Sequence, residues 1–186
     1  MNALQGFTLL CTVIICMEHV WTRPMNCRLQ RGLVENCQTL LESVGGRFPL
    51  QCLDDNVLVP FPEAAFEFNS SQQAVALEKS VYSTLTYIFS VFDEDEVPDQ
   101  WKSLDDFQNV VFRQIEEYQC IMSKTQDSLD DFLMRDNALK EYFGKIQTIL
   151  KDKDFQYCGW EFVRKEVLKT LQFILQKNLD GTVWSR

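Results

Sequence analysis

CGWEFVRKEVLKTLQFILQKNL, residues 158–179, is the stretch whose reading decides the fold. Trp160, Val163, Val167, Leu171 and Ile174 recur every three or four residues, which places them on one stripe of a helix, and no proline interrupts them. A long helix with one apolar stripe needs other stripes to cover it. The chain supplies four more, and no segment reads as a strand of any length.

Upstream, beyond a charged turn at 151–154, Leu139, Tyr142, Phe143, Ile146, Ile149 and Leu150 keep a clean helical period. Residues 123–135 read as a connection in which Leu129, Phe132 and Leu133 make one short turn of helix. The third helix opens with Pro98 near its first position, follows Trp101, Leu104, Phe107, Val111, Ile115, Tyr118 and Met122, and is expected to be the longest. A second helix over about 70–92 places Ala74, Leu77, Val81, Leu85, Ile88 and Phe92 on one face. Leu29, Leu33, Cys37, Leu40 and Val44 mark the first, ending at Gly45-Gly46. Between the first two helices, residues 47–68 carry Pro49, Pro60 and Pro62 and no sustained period, so they form a crossover loop. Long connections after the first and third helices set the second antiparallel to the third, and the fourth antiparallel to the fifth. The fold class is all-α: a five-helix bundle with two crossover loops.

The first residues set the compartment. Phe7 to Met17 is a mostly apolar run of eleven residues, too short to span a bilayer, which takes about 20. With a cleavage site after Thr22, residues 1–22 read as a signal peptide and 23–186 as one secreted domain. No later stretch is long and apolar enough to span, so no membrane insertion is expected. The net charge of −9 argues against nucleic acid and anionic lipid as partners. A protein partner is expected.

The only histidine, His19, lies within the expected signal. Histidine-dependent nucleophile systems and most catalytic zinc sites are thereby excluded. Paired acids at Asp105-Asp106, Glu116-Glu117 and Asp130-Asp131 point about 100° apart on a helix and do not converge on one substrate atom. Asp93-Glu94-Asp95-Glu96 lacks the ligand spacing and glycine of a calcium loop. No catalytic, cofactor or metal site is expected.

Five cysteines remain after the signal, at 27, 37, 52, 120 and 158, enough for two bridges whose pairing the sequence alone leaves open. Cys37 lies on an apolar stripe and reads as a buried thiol, which favours a monomer. Asn69-Ser70-Ser71 is a glycosylation sequon at the start of the second helix, where it also suits a cap. On the last helix, Lys165, Lys169, Gln172, Phe162 and Phe173 fall away from the inner stripe, with Leu168 at the border. Two phenylalanines beside lysines there read as a protein-binding face, against the alternative that both pack under a neighbouring loop.

Tyr157-Cys158-Gly159-Trp160-Glu161 resembles the Cys-Ala-Trp-Glu signature that opens the last helix of type I interferons. Cys52-Leu53, Phe61-Pro62-Glu63 and Phe66 are similar to the Cys-Leu and Phe-Pro elements of that family's loop between the first two helices, and Tyr142-Phe143 to its fourth-helix pattern. The likeness covers nearly the whole chain after the signal. It departs at Gly159 in place of alanine, at the extra Cys37, and at Asn56, where mammalian alpha-type members often carry arginine; such drift points to a distant branch, such as the fish interferons.

The resemblance implies a helical cytokine with bridges Cys27–Cys120 and Cys52–Cys158, each worth about 4 to 5 kcal/mol by chain entropy before strain. It implies two class II cytokine receptor chains as partners, brought together to start JAK-STAT signalling and an antiviral state. By position, one receptor face comprises Leu53, Asp54, Asn56, Arg164, Lys165, Leu168, Lys169, Gln172 and Phe173. Arg164 falls close to the inner stripe, so its place there rests on the family. The second face has no residue assignment. Alternatives are a cytokine of the interferon-lambda or interleukin-10 group, which a different pairing favours, or a secreted helical carrier, which predicts an internal apolar cavity.

Overall fold

The computed structural model describes residues 27–54, 56–67, 74–93, 97–124, 129–177 and 183–185. The expected signal peptide and Asn69 lie outside them. Among the described residues five α-helices form: α1 (Arg31–Gly45), α2 (Ala74–Phe92), α3 (Leu104–Tyr118), α4 (Leu129–Asp152) and α5 (Tyr157–Gln176). They stand around one core in the order α1, α3, α2, α4, α5, with α5 closing on α1.

Contacts between named residues give the directions. Cys27, just before α1, is bonded to Cys120 after α3, and Arg31 Nη2 donates to the carbonyl of Leu175, so α1 runs against both α3 and α5. Phe92 meets Phe107, with ring centres 5.2 Å apart, while Tyr82 donates to the Ile115 carbonyl; α2 and α3 are antiparallel. Tyr142 reaches Glu166, and the space beside Gly159 is filled by Leu150, which sets α4 against α5. The chain therefore crosses over between α1 and α2, and again past α2 on its way from α3 to α4.

The fourth helix, at 24 residues, is longer than the third, at 15, contrary to the expectation from sequence. What reads as a separate turn near residue 129 is the first turn of α4, because Phe132 packs inward and Arg135 is held there by Asp131 and by the crossover loop. Pro98 lies not in α3 but in a preceding turn closed by Trp101 N–H to the Pro98 carbonyl. After Tyr118 the chain tightens into a 3-10 turn over Gln119–Ser123, which leaves Met122 mostly outside the core.

On α1 the deepest residues are Val34, Cys37 and Leu41; Leu33, Leu40 and Val44 flank them. A helix wedged between two neighbours buries two sides, so its deepest line runs between the stripes that either neighbour alone selects. The inner stripe of α5 is buried as its period predicts. Trp160 at its start stacks on Phe92 at 6.0 Å and meets Trp101 edge-on at 6.0 Å, an aromatic knot joining α2, α5 and the turn before α3. A two-residue parallel pairing, β1 (Leu29–Gln30) with β2 (Trp184–Ser185), ties the chain's last described residues beside α1.

Candidate binding face

Three devices fasten the crossover loop to the outer side of α5 and α4. The Cys52–Cys158 bridge joins the loop to the first turn of α5, with Cα atoms 5.2 Å apart. Phe61 and Phe66 stack on each other, and Phe61 also meets Phe173 at 4.7 Å and Tyr142 at 5.3 Å. Arg135 of α4, itself buried, donates to the carbonyls of Ala65 (3.0 Å) and Glu67 (2.7 Å), at the end of the short 3-10 turn Glu63–Phe66.

Of the outward phenylalanines of α5, Phe173 packs beneath the loop rather than projecting from the helix. Phe162 is fully buried and Phe173 half-buried, and the aromatic loop residues that cover Phe173 bury the side of α5 that a periodicity reading leaves to solvent. Exposed apolar surface lies instead on the loop: Leu53 is 54 % exposed and Leu58 87 %, with Leu50 and Val57 also outside. Asp54 and Asn56 are exposed beside them.

Of the expected site residues on α5, Lys169 and Gln172 are exposed, and Lys165 and Leu168 are half-buried at the border of the loop. Lys165 Nζ donates to Asn56 Oδ1, directly joining helix and loop. Its ammonium also sits 5.0 Å from the centre of the Phe162 ring, and that of Lys169 lies 5.8 Å from Phe61, so both stems lie along aromatic surface while the charges remain near water. Arg164 differs: with its side chain 2 % exposed, it pairs with the fully buried Glu161 at 2.7 Å and lies against Gly45 at the end of α1. It supports the face from inside.

Beneath Lys165 and Lys169 lies Glu166, also 2 % exposed. Its Oε1 is 2.9 Å from Lys165 Nζ; its Oε2 accepts the Tyr142 hydroxyl at 2.8 Å and stands 3.6 Å from Lys169 Nζ. Burial, and then the adjacent Glu166 carboxylate, push the Tyr142 phenol far above its ordinary range, so it remains a donor. The sequence alone names Glu161 only as part of the last-helix signature and gives no role to Glu166 or Arg135. The first two sit one residue from the inner stripe of α5, where a charged group has to find a partner, and that spacing is the signal for them; Arg135 carries none.

Residues 27–179 match the interferon alpha/beta domain family. The chain belongs to the type I interferon family. It is 30 % identical to human interferon beta over 152 residues, 78 % of this chain and 80 % of that protein. To horse interferon alpha-1 it is 28 % identical over 127 residues, 66 % of this chain and 68 % of that protein. The solved structure of zebrafish interferon 2 superposes with a TM-score of 0.76 at 42 % identity, covering 80 % of this chain and 98 % of that one. This interferon is accordingly of the fish type.

Its core is filled by Leu, Ile, Val and aromatic side chains. A cleft of about 310 Å³ lies at the α4–α5 turn and is lined by Asp152, Lys153, Asp154, Gln156, Cys158 and Gly159, a polar surface recess unlike the apolar interior a carrier needs. Among the described residues no helix is long and apolar enough to cross a membrane, and no group of three or more His, Cys, Asp or Glu residues is arranged to hold a metal ion.

Proposed function

We propose that this interferon is secreted after removal of residues 1–22 and acts, as a monomer, by bringing together two class II cytokine receptor chains, which starts JAK-STAT signalling and an antiviral state. One receptor chain meets the face where the crossover loop lies on α5, contacting Leu53, Asp54, Asn56, Lys165, Leu168, Lys169 and Gln172. Arg164 and Phe173 shape that face from beneath. The second chain takes the opposite side of the bundle. The protein supplies surfaces and no reaction.

The observation that carries this reading is the exposed apolar loop held rigidly beside two lysines. Exposed apolar side chains gain free energy when a partner covers them, and prior ordering of the surface lowers the entropy lost on association. Treating cells of the source species with the refolded chain at nanomolar concentration, and measuring STAT phosphorylation and antiviral gene induction, tests it. A response lost on reduction and alkylation is expected; correctly folded protein that elicits none refutes the receptor reading.

A further inference from the structure

We infer that Glu166 is the positioning residue of this face: its buried carboxylate fixes Lys165 and Lys169 in the arrangement they present to a partner. The inference rests on the face being a receptor surface, but its geometry stands independently of the receptor. Both carboxylate oxygens are engaged, Oε1 by Lys165 at 2.9 Å and Oε2 by Tyr142 at 2.8 Å and Lys169 at 3.6 Å. Side chains of the two lysines are 29 % and 44 % exposed, against 2 % for Glu166, so the anionic anchor is inside and the cations are at the rim.

A free lysine samples many rotamers and loses that freedom when a partner orders it. Here the ordering is built into the folded protein. Lys165 is held by Glu166 and Asn56, over the Phe162 ring; Lys169 is held by Glu166, over Phe61. Because Tyr142 belongs to α4, the anchor also fixes the face relative to a second helix. Two ammonium groups sharing one carboxylate leave that trio with one net positive charge, on a chain whose total is −9. That excess suits a carboxylate on the partner.

The test measures acylation rates of individual lysines by mass spectrometry on the full disulfide-bonded chain, with Lys140 on the exposed side of α4 as the internal reference. Glu166→Gln preserves shape and an acceptor for Tyr142 but removes the charge. Lys165 and Lys169 are expected to react about threefold faster relative to Lys140, and affinity for the receptor ectodomain to fall about tenfold. Unchanged rates overturn the inference. Faster labelling with unchanged affinity leaves the positioning standing and overturns the receptor reading of the face. Should Glu166→Gln fail to fold, Lys169→Gln on the rim serves: with the carboxylate left to Lys165 alone, Lys165 is expected to label more slowly, and an unaltered rate overturns the inference.

Discussion

Arg164 and Glu161 form an ion pair inside the protein, Nη2 to Oε2 at 2.7 Å, with a second bond from Nε at 3.0 Å, one helical turn apart on α5 and against the end of α1. Removing one member of a buried pair strands the other's charge without water. Arg164→Ala is therefore expected to destabilise the fold by about 3 to 5 kcal/mol, read from urea unfolding. Any loss of receptor affinity should follow from that unfolding or local rearrangement, and a stable Arg164→Ala protein with poor binding would show instead that the guanidinium reaches the partner.

Gly45 is the residue that lets this pair approach α1. A Cβ there falls 2.6 Å from Arg164 Nε and 2.7 Å from Glu161 Oε1. Gly45→Ala, ordinarily favourable in a helix, is expected to lower stability by about 1 to 3 kcal/mol through overpacking. Gly46, by contrast, is needed for its backbone: at φ +66 it turns the chain out of α1 while its N–H caps the Glu42 carbonyl.

Leu168 and Phe173 separate contact from support. Leu168→Ala is expected to weaken receptor binding by at least about 1 kcal/mol, with a smaller loss of stability than Phe173→Ala because Leu168 is only partly buried against the core. Phe173→Ala removes the ring on which Phe61 and Phe66 rest, so it should lower both stability and affinity. Calorimetry and receptor titration on the two variants check the difference.

Arg135→Ala leaves the Ala65 and Glu67 carbonyls without this donor and removes the Arg135 bond to Asp131. A loss of about 2 to 3 kcal/mol is expected, with hydrogen exchange rising across residues 61–67 before the rest of the bundle.

The Cys37 thiol is buried on α1, and Gln114 Nε2 lies 3.2 Å from its sulfur. Burial is the main cause that pushes it up to about 12 from an ordinary 9.0. The unfolded thiol loses its proton first as pH rises, so this group's contribution to stability is intact below about 9 and falls as pH climbs from there toward 12. Between about pH 8 and about pH 10 the wild type should lose more stability than Cys37→Ala, and iodoacetamide should leave the folded thiol unmodified.

Much of the bundle was legible in the chain because a helical period is a local property. Trp160, Val163, Val167, Leu171 and Ile174 fall on one stripe wherever the helix is placed, and the breaks at Gly45-Gly46 and the prolines of the loop need no knowledge of the rest. The start of α4 was not legible, because Arg135 faces inward only once a loop some 70 residues earlier lies across it, and Phe132 only once Lys79 of α2 lies over its ring.

The sequence by itself determined the class of fold, the number of helices, their antiparallel pairing and, through ordered motifs around Cys52 and Cys158, the family. Tertiary structure alone decided which charges are surface and which are support. Arg164, Lys165 and Glu166 are consecutive and alike in polarity, yet one is buried against Gly45, one reaches Asn56 at the rim, and one anchors two lysines from below. Neighbours on a helix point about 100° apart, and what each direction meets is set by elements distant in sequence: the end of α1, the crossover loop and Tyr142 of α4.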